Sequence, residues 1–175
     1  MKGNFEAALT AVLKHEGGWA DHPADPGGAT MKGVTLKTYS DWLGRQASKD
    51  ELRNIPDEHL STIYKTRFWD AVKGDDLPQG VDFVVFDMAV NSGPGRAARM
   101  LQAAVGATPD GAIGPRTLAA VAAQDPETLI ATYQKNRQHF LEALPTFATF
   151  GKGWTRRVVE TGEIALKLLN KQAVK

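Results

Sequence analysis

A glutamate, an aspartate and a threonine lie close together near the start of the chain, in a stretch rich in glycine and proline. Glu16 precedes Gly17-Gly18, Asp25 follows nine residues after Glu16, and Thr30 comes five residues later. Cleavage of a glycosidic bond needs a proton donor and a second group that activates water or stabilises positive charge. These residues predict that chemistry with Glu16 as the donor. The alternative is a solvated glutamate at a helix end, followed by a turn-forming aspartate.

The neighbouring elements must hold this stretch in place. Apolar residues repeat on one face over about residues 4–15, which predicts a helix that Gly17-Gly18 stops. Residues 21–35 contain many turn formers and little periodicity, so we expect a loop with short extended pieces.

The rest of the chain shows helical patterns separated by clear breaks. Ser48-Lys49-Asp50-Glu51 fits a capping box, and Pro56-Asp57 begins another helix. Residues 81–90 are apolar on most sides, which favours a buried helix, although their β-branched content would allow a strand. Further helices are expected over about residues 96–105, 115–123, 126–143 and 153–172. We therefore predict an all-α fold, mainly helical, with at most a small β-hairpin or an extended loop near the active site.

Composition excludes several classes of function. The 175 residues carry a formal net charge of +1, without the basic stripe that nucleic-acid binding requires. There is no cysteine, so neither a disulfide framework nor a thiol nucleophile is available. The first 13 residues lack a long apolar run, and we expect neither a signal peptide nor a membrane span.

The order of the motifs resembles glycoside hydrolase family 108, followed by the peptidoglycan-binding segment common in that family. The first part of the resemblance rests on residues 15–19, 25–30, 33–35, 64, 68–69, 74–78, 81–83 and 87–93. The second part rests on residues 97–98, 101–102, 105–106 and 110–118. It covers nearly the whole chain.

The family consists of lysozyme-like N-acetylmuramidases of phages and bacteria, so the resemblance implies a lysozyme-like fold. It implies a catalytic segment at residues 1–92 and a peptidoglycan-binding segment at residues 93–175, packed as one compact body. The bond cleaved would be the β-1,4 bond between N-acetylmuramic acid and N-acetylglucosamine. Glu16 would be the essential acid, and Asp25 with Thr30 would handle the water. The spacing before Thr30 is one residue short of the related phage lysozymes, which leaves Thr35 as the competing hydroxyl.

Other polar and aromatic residues are candidates for substrate binding, each with a structural alternative. The candidates are Trp19, Thr35, Tyr64, Asp87, Asn91 and Gln102. Asp87 and Asn91 would equally suit a cap or a cross-link between buried helices. Most tryptophans serve in packing, and Tyr64 would equally suit a place in the core. Lys152, Arg156 and Arg157 would contact stem-peptide carboxylates, or else form a solvated helix start.

Two rival functions are weaker. A zinc amidase or peptidase would need clustered ligands, but the four histidines are scattered and form no metal-binding pair. A non-catalytic peptidoglycan-binding module would not need an intact Glu16. We expect no cofactor and no metal. We also expect peptidoglycan as the partner, no nucleic acid and a monomer. The protein would be made in the cytoplasm and would pass through a holin or a secretion apparatus to the cell wall, in the periplasm or outside the cell.

Overall fold

The computed structural model describes residues 3–23 and 28–173, and it confirms a mainly helical, lysozyme-like fold. Within these residues, nine α-helices accompany one small three-stranded antiparallel sheet. The helices are α1 Phe5–Leu13, α2 Leu36–Leu43, α3 Lys49–Arg53, α4 Asp57–Tyr64, α5 Val81–Ser92, α6 Pro94–Ala104, α7 Pro115–Ala122, α8 Pro126–Glu142 and α9 Phe147–Ala173. The strands are β1 Trp19–Ala20, β2 Thr30–Met31 and β3 Val34–Thr35. A π-helical segment, Lys65–Trp69, and a 3₁₀ turn, Gly74–Asp76, complete the described elements.

The chain divides into two compact units. One consists of Glu6–Thr66, and the other consists of Met1–Phe5 together with Arg67–Lys175. The division expected after residue 92, and the packing of the two segments as one body, stay predictions.

The sheet of the smaller unit lies in the stretch where short extended pieces were expected. Its strands follow the order β1-β2-β3, and β2 is joined to β3 by the two residues Lys32 and Gly33. Both have positive φ angles, 48° and 78°. Two-residue hairpins favour such turns because their backbone twist matches that of the strands.

Local signals set most of the helix ends. The capping box of Ser48 and Glu51 is confirmed, and Asp125 caps α8 by accepting a hydrogen bond of 2.9 Å from the Thr128 backbone N–H. Helix α2 was not predicted. It begins after its N-cap Thr35 and ends at Gly44, whose φ is 69°. Its serine, threonine and aromatic residues are weak helix formers, so the helix depends on burial of Tyr39 and Ser40 and on its two caps.

The larger unit is built around α5. Nearly all of this helix is buried, which confirms the prediction of a buried helix over residues 81–90. Helices α6, α8 and α9 pack against it. Helix α9 begins at Phe147, six residues earlier than expected, because Gly151 and Gly153 weaken the helical pattern in the sequence but not the helix itself. Among the described residues, no helix combines the length and apolar character needed to span a membrane.

Candidate active site

Glu16 lies beyond the end of α1 rather than on it. The helix ends at Leu13, and Glu16 follows in a bend, half-buried, immediately before Gly17. Its position is therefore set by packing within the Glu6–Thr66 unit and not by the helix itself.

The turn of the β2–β3 hairpin lies against the Glu16 carboxylate. A Cβ atom at Gly33 would stand 2.9 Å from Glu16 Oε2 and 2.6 Å from the hydroxyl oxygen of Tyr64. Carbon and oxygen do not approach so closely without repulsion, so a side chain at this point would displace the Glu16 carboxylate or the Tyr64 hydroxyl. Tyr64 is buried, and its hydroxyl donates a hydrogen bond of 2.7 Å to the Lys32 carbonyl. The Tyr64 hydroxyl thus ties α4 to the turn against which the carboxylate rests.

Thr30 and Thr35, the two competing hydroxyl residues, are cross-strand partners on β2 and β3. Direct partners in an antiparallel pair place their Cβ atoms about 4.5–5.5 Å apart on the same face of the sheet. The pair next to the turn is Met31 with Val34, so the threonines come one register step further from Gly33. The hairpin therefore brings both threonines into one small structure with the turn that contacts Glu16.

The two threonine hydroxyls differ in what they bond. Thr35 Oγ1 accepts a hydrogen bond of 3.1 Å from the Thr38 backbone N–H and donates one of 3.0 Å to Thr38 Oγ1. Its hydroxyl is thus engaged in capping α2. Within the part of the chain that the structure describes, Thr30 Oγ1 makes no such bond and is available to a ligand or a water molecule.

Trp19 and Asp25 complete the residues expected near Glu16. Trp19 is half-buried on β1, opposite Met31, and the guanidinium of Arg53 lies 5.7 Å from the centre of its ring. Asp25 lies outside the described residues, and its expected role stays a prediction.

Asp87 lies on α5 in a buried ion-pair cluster. Arg157 Nη2 lies 2.9 Å from Asp87 Oδ1, and Arg157 Nε lies 3.1 Å from Oδ2. The second cation, Arg137 on α8, places its Nη2 atom 2.7 Å from Asp87 Oδ2. Burial acts to raise the pKa of Asp87, but the two guanidiniums outweigh it and hold that pKa below its usual value. The cluster matches the structural alternative for Asp87, a cross-link between buried helices.

Sequence reasoning missed Arg137 as the partner of Asp87. Arg137 follows Ile130 and Tyr133 at helical spacing on the buried face of α8, and its side chain is 1% exposed. A charged residue at a core position requires a buried counter-charge. The place of Arg137 in the apolar pattern of α8 could therefore have indicated a buried ion pair. Arg157, expected at a solvated helix start or on a stem peptide, instead binds Asp87.

Gln102 is buried and holds the turn at residues 110–114. Its Nε2 donates to Asp110 Oδ1 at 2.7 Å, to the Ala112 carbonyl at 3.1 Å and to Thr117 Oγ1 at 3.2 Å. Its Oε1 accepts a bond of 2.9 Å from the Gly111 backbone N–H. The amide is fully used within the fold, which favours a positioning role over ligand binding.

The remaining candidates are divided between surface and core. Asn91 is exposed on α5, where its Oδ1 accepts a bond of 3.3 Å from Ser92 Oγ. Trp69 is completely buried, and its Nε1 donates to Asp75 Oδ1 at 3.1 Å. Trp42 is exposed and stacks on Tyr39 at 6.2 Å between ring centres. Among the described residues, no three histidine, aspartate or glutamate side chains are grouped to hold a metal ion.

In a comparison with known proteins, two family models match the chain, each over a different part of it. The model described as glycosyl hydrolase 108 matches residues 9–93, and the one described as a predicted peptidoglycan domain matches residues 96–159. The chain is also similar to a solved structure titled "Structure of Brucella abortus SagA", with 46% sequence identity, 97% of each chain covered and a TM-score of 0.86. No curated protein matches the chain significantly. The chain therefore belongs to the glycosyl hydrolase 108 family and is a peptidoglycan hydrolase.

Proposed function

We propose that the protein is an N-acetylmuramidase in which Glu16 is the general acid. It hydrolyses the β-1,4 bond between N-acetylmuramic acid and N-acetylglucosamine, and Glu16 protonates the leaving oxygen. The observation that carries the proposal is the contact of the half-buried Glu16 carboxylate with the Gly33 turn. Such a contact holds an acid in one orientation, as proton transfer to a bound substrate requires.

Thr30 is the better of the two threonines for positioning water. Its hydroxyl has no other bond in the described part of the chain, whereas the Thr35 hydroxyl already caps α2. We assign the stabilisation of charge to Asp25, on the strength of the family resemblance alone. Trp19 contributes a half-buried aromatic ring three residues after Glu16, suited to contact a sugar face.

Peptidoglycan lies outside the cytoplasmic membrane, so the enzyme acts at the cell wall. Access through a holin or a secretion apparatus, and action as a monomer, are part of the same proposal.

The test is digestion of purified peptidoglycan, followed by borohydride reduction and mass spectrometry of the products. The proposal expects fragments that end in reduced N-acetylmuramic acid with the wild type. It expects far fewer in the same digestion time with Glu16→Gln, which keeps the shape of the side chain and removes the proton. Loss of general acid catalysis should lower the rate by about 10²–10⁴-fold. Glu58→Gln on the exposed face of α4 is the matched control and should retain full activity.

Each other result contradicts a particular part of the proposal. Reduced N-acetylglucosamine ends would mean a glucosaminidase, and freed stem peptides would mean an amidase. Full hydrolysis by Glu16→Gln would remove Glu16 from the mechanism. Binding to peptidoglycan without any product would indicate a module that binds and does not cleave.

A further inference from the structure

The first turns of α9 carry a cluster of aromatic rings at the surface. Phe147, Phe150 and Trp154 share one side of the helix at i, i+3 and i+7. The ring centre of Trp154 lies 6.3 Å from that of Phe147 and 5.8 Å from that of Phe150. Phe150 is the most exposed of the three, with 54% of its surface accessible to solvent. Phe147 and Trp154 are half-buried, so part of each ring also remains accessible at the surface.

A groove of about 550 Å³ lies beside the Phe147 ring. Its lining consists of Phe147, Ala148, Gly151, Lys152, Thr155 and Arg156. Gly151 lies directly under the Phe147 ring, where a Cβ atom would stand 2.8 Å from two of the ring carbons. Because Gly151 has no side chain, the Phe147 ring can lie close to the backbone of α9. This leaves a shallow depression in the surface of the helix at this point.

Two cations line the groove one helical turn apart. Lys152 and Arg156 are both exposed, and residues at i and i+4 on a helix have Cβ atoms about 5–6 Å apart. Within residues 3–23 and 28–173, neither side chain takes part in an ion pair or a hydrogen bond. Arg157, the next residue, differs sharply because it binds the buried Asp87. The fold therefore uses Arg157 internally, whereas Lys152 and Arg156 remain unpaired within the described residues.

We propose that this groove binds the stem peptides of peptidoglycan, with Lys152 and Arg156 holding peptide carboxylates and the Phe147 ring contacting the adjoining apolar or sugar surface. The inference rests on peptidoglycan as the substrate and assigns the binding of its anionic part to one face of α9. A carboxylate-bearing chain complements two exposed cations placed beside an aromatic ring.

Cosedimentation with purified sacculi in the cold, at low and moderate salt, tests the proposal. The double variant Lys152→Gln with Arg156→Gln should weaken binding by about 3- to 30-fold, the range expected for the loss of two exposed charge contacts. The matched control is Lys167→Gln with Lys171→Gln, which removes two exposed cations at the same spacing further along α9. This control should bind within about twofold of the wild type.

Chemical modification of the ligand isolates the contribution of the carboxylates. Sacculi whose carboxylates are capped with methylamine should bind the wild type as weakly as native sacculi bind the double variant. The double variant should not distinguish the two preparations. Phe147→Ala should weaken binding to both, since this ring lines the groove and does not contact a charge.

Unchanged sacculus binding by the double variant would overturn the proposal. So would an effect confined to phosphatidylglycerol vesicles, which would make the surface a lipid contact. Sedimentation does not depend on which bond is cut or on Glu16. Activity retained in Glu16→Gln would therefore contradict the muramidase mechanism and leave the groove standing, and equal binding by all variants would do the reverse.

Discussion

Gly33 lies against Glu16 so closely that a single added methyl group would meet the carboxylate. The Cβ atom at this position would stand 2.9 Å from Glu16 Oε2, on a backbone whose φ is 78°. The glycine thus meets two requirements at once, the left-handed turn of the hairpin and the space for the proposed acid.

Gly33→Ala should lower the rate of hydrolysis by about 10- to 100-fold, because displacing a catalytic group by about 1 Å costs up to two orders of magnitude. The matched control is Gly44→Ala, where φ is 69° but nothing lies within 4 Å of the added Cβ. Both variants should lose roughly 1–2 kcal/mol of stability from the left-handed backbone. Activity measured on peptidoglycan, with urea unfolding alongside, separates the two effects. Equal activity of the two variants would show that the contact with Glu16 is unimportant.

Tyr64→Phe should reduce kcat and leave KM nearly unchanged. The change removes the hydrogen bond from the Tyr64 hydroxyl to the Lys32 carbonyl. This bond fixes the turn, and Tyr64 itself is buried away from solvent. Tyr39→Phe is a fair comparison, since Tyr39 is also buried and its hydroxyl is bonded to His59 Nδ1 at 2.8 Å. Each variant should lose about 1 kcal/mol of stability. A parallel fall in kcat for both would mean that general destabilisation, and not the position of Glu16, is being measured.

Substitution of Thr30 and of Thr35 should affect hydrolysis and stability differently. Thr30→Val should abolish most hydrolysis with little change in the free energy of unfolding, since its hydroxyl makes no bond in the described part of the chain. Thr35→Val should retain hydrolysis and lose about 1 kcal/mol through the missing N-cap of α2. Thr35→Ser, which keeps the cap, should restore the stability. The reverse outcome would assign the water to Thr35.

Asp87→Asn should destabilise the protein by about 3–5 kcal/mol at neutral pH, since two buried guanidiniums lose their counter-charge. The native pKa of Asp87 lies below its unfolded value of about 3.9. Its contribution to stability is therefore complete above about pH 4 and is lost as the pH falls through the native pKa. Urea unfolding at several pH values should show the difference between wild type and variant shrinking on acidification. Asp76→Asn, at an exposed position, should have little effect at any pH. A difference that is constant with pH would rule out the ionised form as the source.

Most helices could be predicted because their signals are local. The capping box at Ser48, the proline at the first position of α7 and the Asp125 cap of α8 each lie within one turn of the helix they begin. Helix α2 escaped prediction because its residues have low intrinsic propensity and its burial depends on distant packing. The early start of α9 was hidden by Gly151, a residue explained only by the ring that covers it.

The candidate site shows the same limit. The motif around Glu16 made it the candidate acid, but the close approach of Gly33 to both Glu16 and Tyr64 cannot be read from spacing. Likewise, Asp87 and Arg137 are 50 residues apart in the chain, and no local pattern reports which buried charges will meet. Sequence predicted the residue types needed for the chemistry, whereas their partners depend on the packed fold.

The two-residue turn at Lys32-Gly33 also has a kinetic consequence. Strands β2 and β3 are neighbours in the chain, so they pair without closing a long loop. Isolated hairpins form in about 1–10 μs. We therefore expect the turn that contacts Glu16 to form early in folding. The ion pairs of Asp87 can form only after α5, α8 and α9 have packed together.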